Sequence, residues 1–381
     1  MEKVAGIIAE YNPFHRGHAY HIAETRRALG EDCAVVCVLS GDFVQRGDTA
    51  VFDKYTRGEM AVRGGADLVL ELPLRWCLSS AEGFARGGVS MLAAAGVVTH
   101  LSFGSETGAL PALERTAAVL DDPAFPERLR EKLQTGVSFP AAREAALAEL
   151  VGETASVLSR PNDTLAVEYL RAIRALSAPL IPLVIPRIGA GHDQTGESAF
   201  PSASELRRRL RAGEDVSEWV PHLPEASPVF LEDLELVMLS RLRRLPREAF
   251  AALPDCAEGL ENVLYKAVRS EATLEGILAR AKSKRYPMSR LRRMLLCAAL
   301  DLDKPEDRPL PPYLRVLAAN ERGRGLLRAM RSAASLPVIT KPASGLAFPD
   351  FHLTADAHDF YVLSRPDKTP GQDWRRSPTM L

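Results

Sequence analysis

The chain has 381 residues, of which 46% are hydrophobic and 25% are charged, and its formal net charge is −1. This composition is typical of a globular protein with about two or three domains of roughly 100–200 residues each. A near-neutral net charge excludes nucleic-acid binding driven by the field of the whole molecule, so any such affinity must come from a local basic patch. We find no basic leader followed by an apolar segment and no apolar run of membrane-spanning length. We therefore expect a cytoplasmic protein without membrane contact.

Short apolar runs alternate with helical patterns over the first half of the chain. The predicted strands are Val4–Ala9, Cys33–Leu39, Asp67–Leu72, Val98–Phe103 and Leu180–Ile185. The predicted helices are His18–Leu29, Lys54–Arg63, Ser80–Ala95, Ala109–Leu120 and Asp163–Leu176. This alternation predicts an α/β fold with a Rossmann-like parallel sheet covered on both faces. Ligands of such sheets bind beyond the carboxyl ends of the strands.

The second half of the chain has a helical pattern. We expect no strand after about Val216, and the predicted helices are Leu231–Leu242, Glu258–Ser270, Leu274–Ala281, Ser289–Leu300, Tyr313–Ala319 and Glu321–Met330. From Asp356 we expect one more short helix and then a disordered polar tail. The predicted domains are residues 1–220, with a helical insertion at about 110–150, and an α-helical domain at 221–381.

The most informative motif follows the first strand. His15 and His18 are three residues apart, separated by Arg16 and Gly17, and they lie where the first helix begins. A helix N-terminus favours a polyphosphate, and imidazoles there stabilise the charge that develops as pyrophosphate leaves. We expect Gly17 to permit close approach of a nucleotide. The alternative is an exposed turn with two incidental histidines, which the position after the first strand makes less favourable.

Two further segments suggest phosphate contacts. Ser202 and Ser204 precede Arg207 near a late helix start, where hydroxyls cap the helix and the guanidinium provides a forked cation. Lys54, one turn before Arg57, follows the second strand and is expected to bind phosphate or carboxylate. The alternatives are an ordinary serine cap before a surface arginine run, and a capped helix start with solvated basic side chains.

Loops after later strands are expected at the same edge of the sheet. Gly104 ends the fourth predicted strand, Asn162 precedes a helix, and Arg187 follows the fifth strand. Five cysteines lie in apolar contexts, which favours reduced core thiols over a disulfide or a metal site, and no metal ligand is assigned among the residues. Magnesium is expected to accompany the nucleotide.

A local basic segment lies in the helical half. It runs from Arg280 to Arg293 without an acidic residue, which suits an RNA backbone, and an aromatic ring within it could stack on a base. The alternative is a solvated helix face, although like charges at helical spacing repel one another. The expected RNA-binding residues are Lys282, Lys284, Arg285, Tyr286, Arg290 and Arg293.

These motifs together resemble the bacterial tRNA(Met) cytidine acetate ligase family, within the HxGH nucleotidylyltransferase superfamily. The resemblance runs from residue 1 to about residue 365. It implies ATP-dependent formation of acetyl-adenylate and acetylation of N4 of the wobble cytidine of elongator tRNA(Met). It also implies nucleotide contacts at Gly104, Asn162 and Arg187, and along the N-terminal stretch, whose residues are Ile7, Ile8, Ala9, Glu10, Tyr11, Asn12, Pro13, Phe14, His15, Arg16, Gly17, His18, Ala19 and Tyr20.

The expected catalytic groups are His15, His18, Lys54 and Arg207, with ATP as co-substrate and acetate and tRNA as partners. Asp42 stands where the family commonly has Asn, and it either helps to hold magnesium or lies away from the nucleotide. Two other functions remain open: a small-molecule nucleotidylyltransferase of the pantetheine-phosphate or nicotinate-nucleotide type, and a non-catalytic RNA-binding protein. The sequence does not determine the oligomeric state.

Overall fold

The computed structural model describes residues 3–137, 139–151, 157–188, 200–257, 259–283, 286–305, 307 and 309–381. Its strands are β1 (Val4–Ala9), β2 (Ala34–Ser40), β3 (Phe43–Val44), β4 (Asp48–Thr49), β5 (Leu68–Leu72), β6 (His100–Ser105), β7 (Ile181–Pro186), β8 (Leu314–Ala319), β9 (Val338–Ile339) and β10 (Thr379–Met380). All five strands predicted from the first half are present, and each of their ends lies within two residues of the predicted position.

The helices of the first half are α1 (Arg16–Leu29), α2 (Lys54–Arg63), α3 (Leu74–Cys77), α4 (Ala81–Ala94), α5 (Leu110–Leu120), α6 (Phe125–Gln134), α7 (Phe139–Val151), α8 (Pro161–Ala175) and α9 (Ala203–Arg211). Those of the second half are α10 (Glu235–Leu242), α11 (Arg247–Ala251), α12 (Leu260–Ser270), α13 (Leu274–Ala281), α14 (Met288–Ala299), α15 (Glu321–Ala333) and α16 (Pro349–Tyr361). Short 3-10 helices lie at Leu231–Leu234, Pro342–Ala347, Val362–Ser364 and Gln372–Trp374.

The main sheet has the order β10-β8-β5-β2-β1-β6-β7, with β9 paired to β8. The strands β5, β2, β1, β6 and β7 are mutually parallel, and β8 runs antiparallel to β5. Residues of β1 and β2 alternate between two cores, because successive side chains point to opposite faces of a strand. Helices α4 and α8 cover one face and α1 and α2 cover the other, so the expected α/β class with a doubly covered parallel sheet is confirmed.

A separate apolar core joins α10 to α14 with α3 and α16. The sheet also includes β8, so the expectation that no strand follows residue 216 is wrong, and the segment expected as a helix at Tyr313–Ala319 is a strand. A six-residue apolar run that is buried on both faces carries no period that distinguishes a strand from a helix. The division into domains stays a prediction, and we propose that the helical part is confined to about residues 231–300.

The polar tail is ordered by a buried carboxylate. Asp373 is fully buried, and its carboxylate accepts hydrogen bonds from Lys54 and Arg315, 2.5 and 2.7 Å away. The expectation of a disordered tail is therefore wrong, because this end of the chain supplies a counter-ion to the interior. Among the described residues, no helix has the length and apolar character needed to cross a membrane.

Candidate active site

A cleft opens beyond the carboxyl ends of β1, β6 and β7, where the N-termini of α1, α8 and α9 converge. It consists of two adjoining cavities of about 290 and 200 Å³. The residues that line both cavities are His15, His18, His21, Gly104, Pro161, Asn162, Arg187 and Ser202. The cleft therefore lies at the edge of the sheet where ligands of open α/β folds bind.

The two histidines of the motif are held by the backbone of the first turn of α1. Nδ1 of His15 accepts a hydrogen bond from the N–H of Gly17 at 3.0 Å, and Nδ1 of His18 accepts one from the N–H of His15 at 3.2 Å. A neutral imidazole that accepts at Nδ1 carries its proton on Nε2. Both rings line the cleft, so each offers an N–H donor to a ligand there.

The electrostatics of the cleft keep both rings neutral. Burial, together with the nearby Arg187 and Arg207, lowers the pKa of His15 to about 4. Burial and the neighbouring His15 lower the pKa of His18 well below its ordinary value. Before a ligand binds, the positive charge of this cleft thus comes from arginines, while the histidines contribute hydrogen-bond donors.

The backbone donors at the start of α1 are already engaged within the protein. The N–H of Arg16 donates to the carbonyl of Trp219, that of Gly17 to His15, and that of His18 to the carbonyl of His15. A nucleotide at this helix therefore meets side-chain donors and the helix dipole.

Gly17 contacts a protein side chain at the position where a Cβ would lie. A Cβ built there lies 2.8 Å from Cε1 and 3.0 Å from Nδ1 of His15. The glycine thus permits the ring of His15 to fold back over the helix start. The expected close approach of a nucleotide to Gly17, which lines the smaller cavity, stays a prediction.

Arg207 is fixed at the opposite wall by two acceptors. Its guanidinium donates to the carbonyl of Asn12 at 2.9 Å and to Oγ of Ser204 at 3.1 Å. Ser202 caps α9 by accepting from the N–H of Glu205 at 3.2 Å. Ser202, Ser204 and Arg207 all line the larger cavity, so the serine-arginine segment and the histidines face one cleft.

The third wall combines the end of β6 with the start of α8. Glu106 accepts hydrogen bonds from the side chain and the N–H of Asn162 and from the N–H of Asp163. Gly104 faces Arg187, since a Cβ on this glycine would lie 3.3 Å from Cγ of Arg187. All three residues expected from the strand-end loops therefore reach the cleft.

Several lining residues were not singled out from the sequence as site residues. His21 lies one turn after His18, its Nε2 is 2.9 Å from Oγ of Ser102, and burial lowers its pKa to about 4. The i, i+3 spacing to His18 on α1 was an available signal. Gln45 and Arg46 reach the cleft from the loop between β3 and β4, and the N–H of Gln45 donates to Glu10 at 2.8 Å.

Only some of the residues expected to contact nucleotide along the N-terminal stretch line the cleft. Ile7, Ile8, Ala9, Glu10, Tyr11 and Asn12 line the larger cavity with the two histidines, and Gly17 and Tyr20 line the smaller one. Pro13, Phe14, Arg16 and Ala19 line neither cavity. Phe14 is buried in the core beside α1 and is placed there to pack rather than to contact a ligand.

Lys54 does not reach the cleft. It is fully buried, and its ammonium donates to Glu71 at 2.7 Å and to Asp373 at 2.5 Å. Arg57 is buried as well and donates to the backbone carbonyls of Glu10, Phe52, Ser40 and Gly41. We propose that Lys54 stabilises the fold and takes no part in catalysis, because its charge is neutralised away from the cavities.

Asp42 belongs to the same buried network. Its carboxylate accepts a hydrogen bond from the N–H of Lys54 at 2.9 Å and lies 2.8 Å from Nδ1 of His358. Although burial opposes ionisation, His358 and Lys54 lower the pKa of Asp42 to about 2. It does not line either cavity, and no group of three or more potential metal ligands occurs in the described part of the chain.

The basic segment is only partly available to RNA. Tyr286 is buried with 7% of its surface exposed, so its ring does not offer a face for base stacking. Arg290 donates to the carbonyl of Asp255, and Arg293, 8% exposed, donates to the carbonyl of Gln45 at 3.3 Å. Lys282 is exposed, whereas Lys284 and Arg285 lie outside the described residues.

The fold and this cleft together define an α/β nucleotidyl transferase. The family model of the HIGH nucleotidyl transferases matches residues 1–375. The chain is 37% identical to the tRNA(Met) cytidine acetate ligase of Fervidobacterium nodosum, over 89% of this chain and 84% of that protein. It is 34% identical to the enzyme of the same name from Syntrophomonas wolfei, over 98% and 99% of the two chains.

The chain is also similar to solved structures. The structure of Thermotoga maritima TmcAL without ligand superposes with a TM-score of 0.92 at 32% identity, over 100% of this chain and 99% of that one. A second structure of that protein, bound with alpha-thio ATP, superposes with a TM-score of 0.91 over the same shares. The chain belongs to the HIGH nucleotidyl transferase family and, within it, to the tRNA(Met) cytidine acetate ligases.

Proposed function

We propose that this protein uses ATP to activate acetate and transfers the acetyl group to N4 of the wobble cytidine of elongator tRNA(Met). The observation that carries the proposal is the convergence of two neutral imidazoles and two arginines, Arg187 and Arg207, on one cleft at the ligand-binding edge of the sheet. The similarity to ligases of that name, and to one bound with alpha-thio ATP, supports the choice of substrates.

In the first step an acetate oxygen attacks the α-phosphorus of ATP. The new bond joins acetate to AMP, and the bond between the α-phosphorus and the departing pyrophosphate breaks. Nε2–H of His15 and of His18 donates to phosphate oxygens as charge accumulates, and Arg207 opposes the charge of pyrophosphate. No covalent bond to the protein is required, so the residues position the reactants and stabilise charge.

In the second step the N4 amine of cytidine attacks the carbonyl carbon of acetyl-adenylate. The bond between this carbon and the oxygen of AMP breaks, AMP leaves with the bonding electron pair, and the proton lost by the amine passes to water. A wobble base lies in a single-stranded loop, so it can be turned out toward the cleft without disrupting a helix. The adenylate must remain bound meanwhile, and the adjoining walls of the cleft, including Asn162 and Glu106, suit this purpose.

Magnesium fits the site only as a companion of ATP. Two carboxylates line the cleft among the described residues: Glu10 accepts from the N–H of Gln45 and burial raises its pKa, and Glu106 accepts from Asn162 and Asp163. Mg²⁺ commonly binds through phosphate oxygens and retained waters rather than through a cage of protein ligands. When bound, the ion would neutralise phosphate charge. We also propose that the protein acts in the cytoplasm, where its tRNA substrate is found.

Release of pyrophosphate from ATP, measured without tRNA, tests the proposal. We expect release that depends on acetate. Release with pantetheine phosphate or nicotinate mononucleotide instead of acetate would assign the protein to the small-molecule nucleotidylyltransferases. No release with any of these acceptors, combined with retained tRNA affinity, would indicate an RNA-binding protein without this chemistry.

A further inference from the structure

A second groove adjoins the cleft on the far side of Arg207. It has a volume of about 230 Å³ and shares Ser204 and Arg207 with the larger cavity of the cleft. Four arginines line it: Arg207, Arg208, Arg211 and Arg292. They come from α9 and from α14, so the groove lies where the helical region meets the nucleotide-binding half.

The charge of this groove is positive. Two carboxylates line it with the four arginines: Asp48, 3.9 Å from Arg292, and Glu232, 3.0 Å from Arg211. Arg208 pairs with Glu205 on its own helix, at 2.9 Å. Within the described ranges, Arg207 has no carboxylate at ion-pair distance, and it donates only to neutral oxygens. An anion in the groove would therefore meet at least one uncompensated guanidinium.

Two buried donors in the groove have no acceptor in the described part of the molecule. They are Oγ1 of Thr49, a residue with 1% of its surface exposed, and Nε of Arg292. A buried donor without a partner costs free energy unless a ligand or water satisfies it. Both residues line the groove, and a hydroxyl and a guanidinium N–H match two oxygens of a phosphate diester.

We infer that this groove binds a backbone phosphate of the tRNA anticodon loop, next to the nucleotide that enters the cleft. The inference rests on the proposed function, which requires the wobble base to reach an adenylate bound beside Arg207. Because the groove and the cleft share Ser204 and Arg207, a phosphate held by Thr49 and Arg292 lies next to the cleft. Arg292 belongs to the basic segment, in which Arg290 and Arg293 bond to the protein. The groove therefore identifies Arg292 as a residue of that segment that contacts a phosphate.

The same phosphate chemistry could come from the triphosphate of ATP, because Arg207 is shared between the groove and the cleft. The experiment therefore has two arms. Affinity for a tRNA(Met) transcript is measured by filter binding over a series of salt concentrations. The KM for ATP is measured in acetate-dependent pyrophosphate release, which needs no tRNA and which, in the unaltered protein, tests the proposed function separately.

The variants are Arg292→Ala and Thr49→Val, with Arg322→Ala as the matched control. Arg322 is an exposed arginine on α15, whose first turn packs on Asp67 before β5, at the edge of the sheet opposite the cleft. For Arg292→Ala we expect tRNA affinity to fall about tenfold, with the salt slope reduced by about 0.7 to 0.9, as for one lost phosphate contact. Thr49→Val, which keeps its shape, should weaken tRNA binding about threefold without changing the slope.

Arg322→Ala should bind tRNA within about twofold of the unaltered protein. Unchanged tRNA affinity or an unchanged salt slope in Arg292→Ala, provided that acetate-dependent release is intact in the unaltered protein, would overturn the inference. A rise in the KM for ATP with tRNA affinity unchanged would also overturn it, because the groove would then hold phosphates of ATP. Thermal melting of each variant shows that the protein measured is folded.

Discussion

The imidazole of His15 lies against the backbone of Gly17, so closely that a Cβ on Gly17 would be 2.8 Å from Cε1 of the ring. The same pair shares a hydrogen bond from the N–H of Gly17 to Nδ1 of His15 at 3.0 Å. The spacing of the motif thus fixes both the position and the tautomer of the first histidine. The glycine between the histidines is required by the ring of its neighbour.

Gly17→Ala should therefore displace His15 without unfolding the protein. We expect the KM for ATP to rise and acetate-dependent pyrophosphate release to fall by about tenfold or more, since a displacement near 1 Å of a catalytic group is costly. The matched control is Gly325→Ala on α15, where only the tip of Arg328 comes within 4 Å of the new Cβ. That change should stabilise its helix by roughly 0.5–1 kcal/mol and leave activity unaltered.

Removal of the His18 imidazole should impair adenylate formation without impairing tRNA binding. His18→Ala should lower adenylate formation by about 10²–10³-fold, because one donor to the developing charge is lost, while tRNA affinity stays nearly unchanged. Pyrophosphate release and gel-shift assays measure the two quantities. A substitution at an exposed histidine serves as the control: His222→Asn, because Asn tolerates the φ of 61° at this position. A loss of tRNA affinity that matches the loss of adenylation would contradict the role given to His18.

Substitution of Lys54 should reduce stability rather than turnover. Lys54→Met removes one of the two buried cations that pair with Glu71 and Asp373 and leaves only Arg315, and a broken buried ion pair costs about 3–5 kcal/mol. We expect a lower midpoint in thermal unfolding, with turnover per folded molecule at low temperature near that of the unaltered protein. Lys368→Met, at an exposed site, should change neither quantity. Full stability with abolished turnover would restore a catalytic role to Lys54.

The pH behaviour of His15 follows from its surroundings. Its pKa in the folded protein is about 4, below the ordinary value of 6.5, because burial and then Arg187 and Arg207 disfavour the charged ring. Its contribution to stability is therefore complete above pH 6.5 and is lost as the pH falls toward 4. Titration of the His15 ring by NMR should show a midpoint near 4, raised by bound ATP, whose negative charge favours the imidazolium. A midpoint near 6.5 without ligand would contradict this electrostatic account.

Local patterns were sufficient for the five long strands of the first half but not for its short elements β3, β4 and α3. Continuous Val, Ile and Leu runs predicted β1, β2, β5, β6 and β7, since parallel strands are buried on both faces. Their order of alternation with helices then placed His15, Arg187 and Arg207 at one edge of the sheet. That inference requires only the rule that the carboxyl ends of parallel strands share an edge.

Long-range contacts account for what the sequence did not predict. Lys54 resembles a solvent-exposed cation in sequence because its partner Asp373 is 319 residues away. Tyr286 occurs among basic residues, yet its ring belongs to the apolar core of the helical region. Similarly, β8 pairs with β5, although the two strands are 242 residues or more apart in the sequence. No local period indicates this pairing.

The most direct test of the central claim is mass spectrometry of nucleosides from a tRNA(Met) transcript incubated with the protein, ATP and isotope-labelled acetate. We expect labelled N4-acetylcytidine at the wobble position, dependent on ATP and lost in His18→Ala. Unmodified cytidine in the presence of ATP and acetate, with the protein folded and bound to the tRNA, would contradict it.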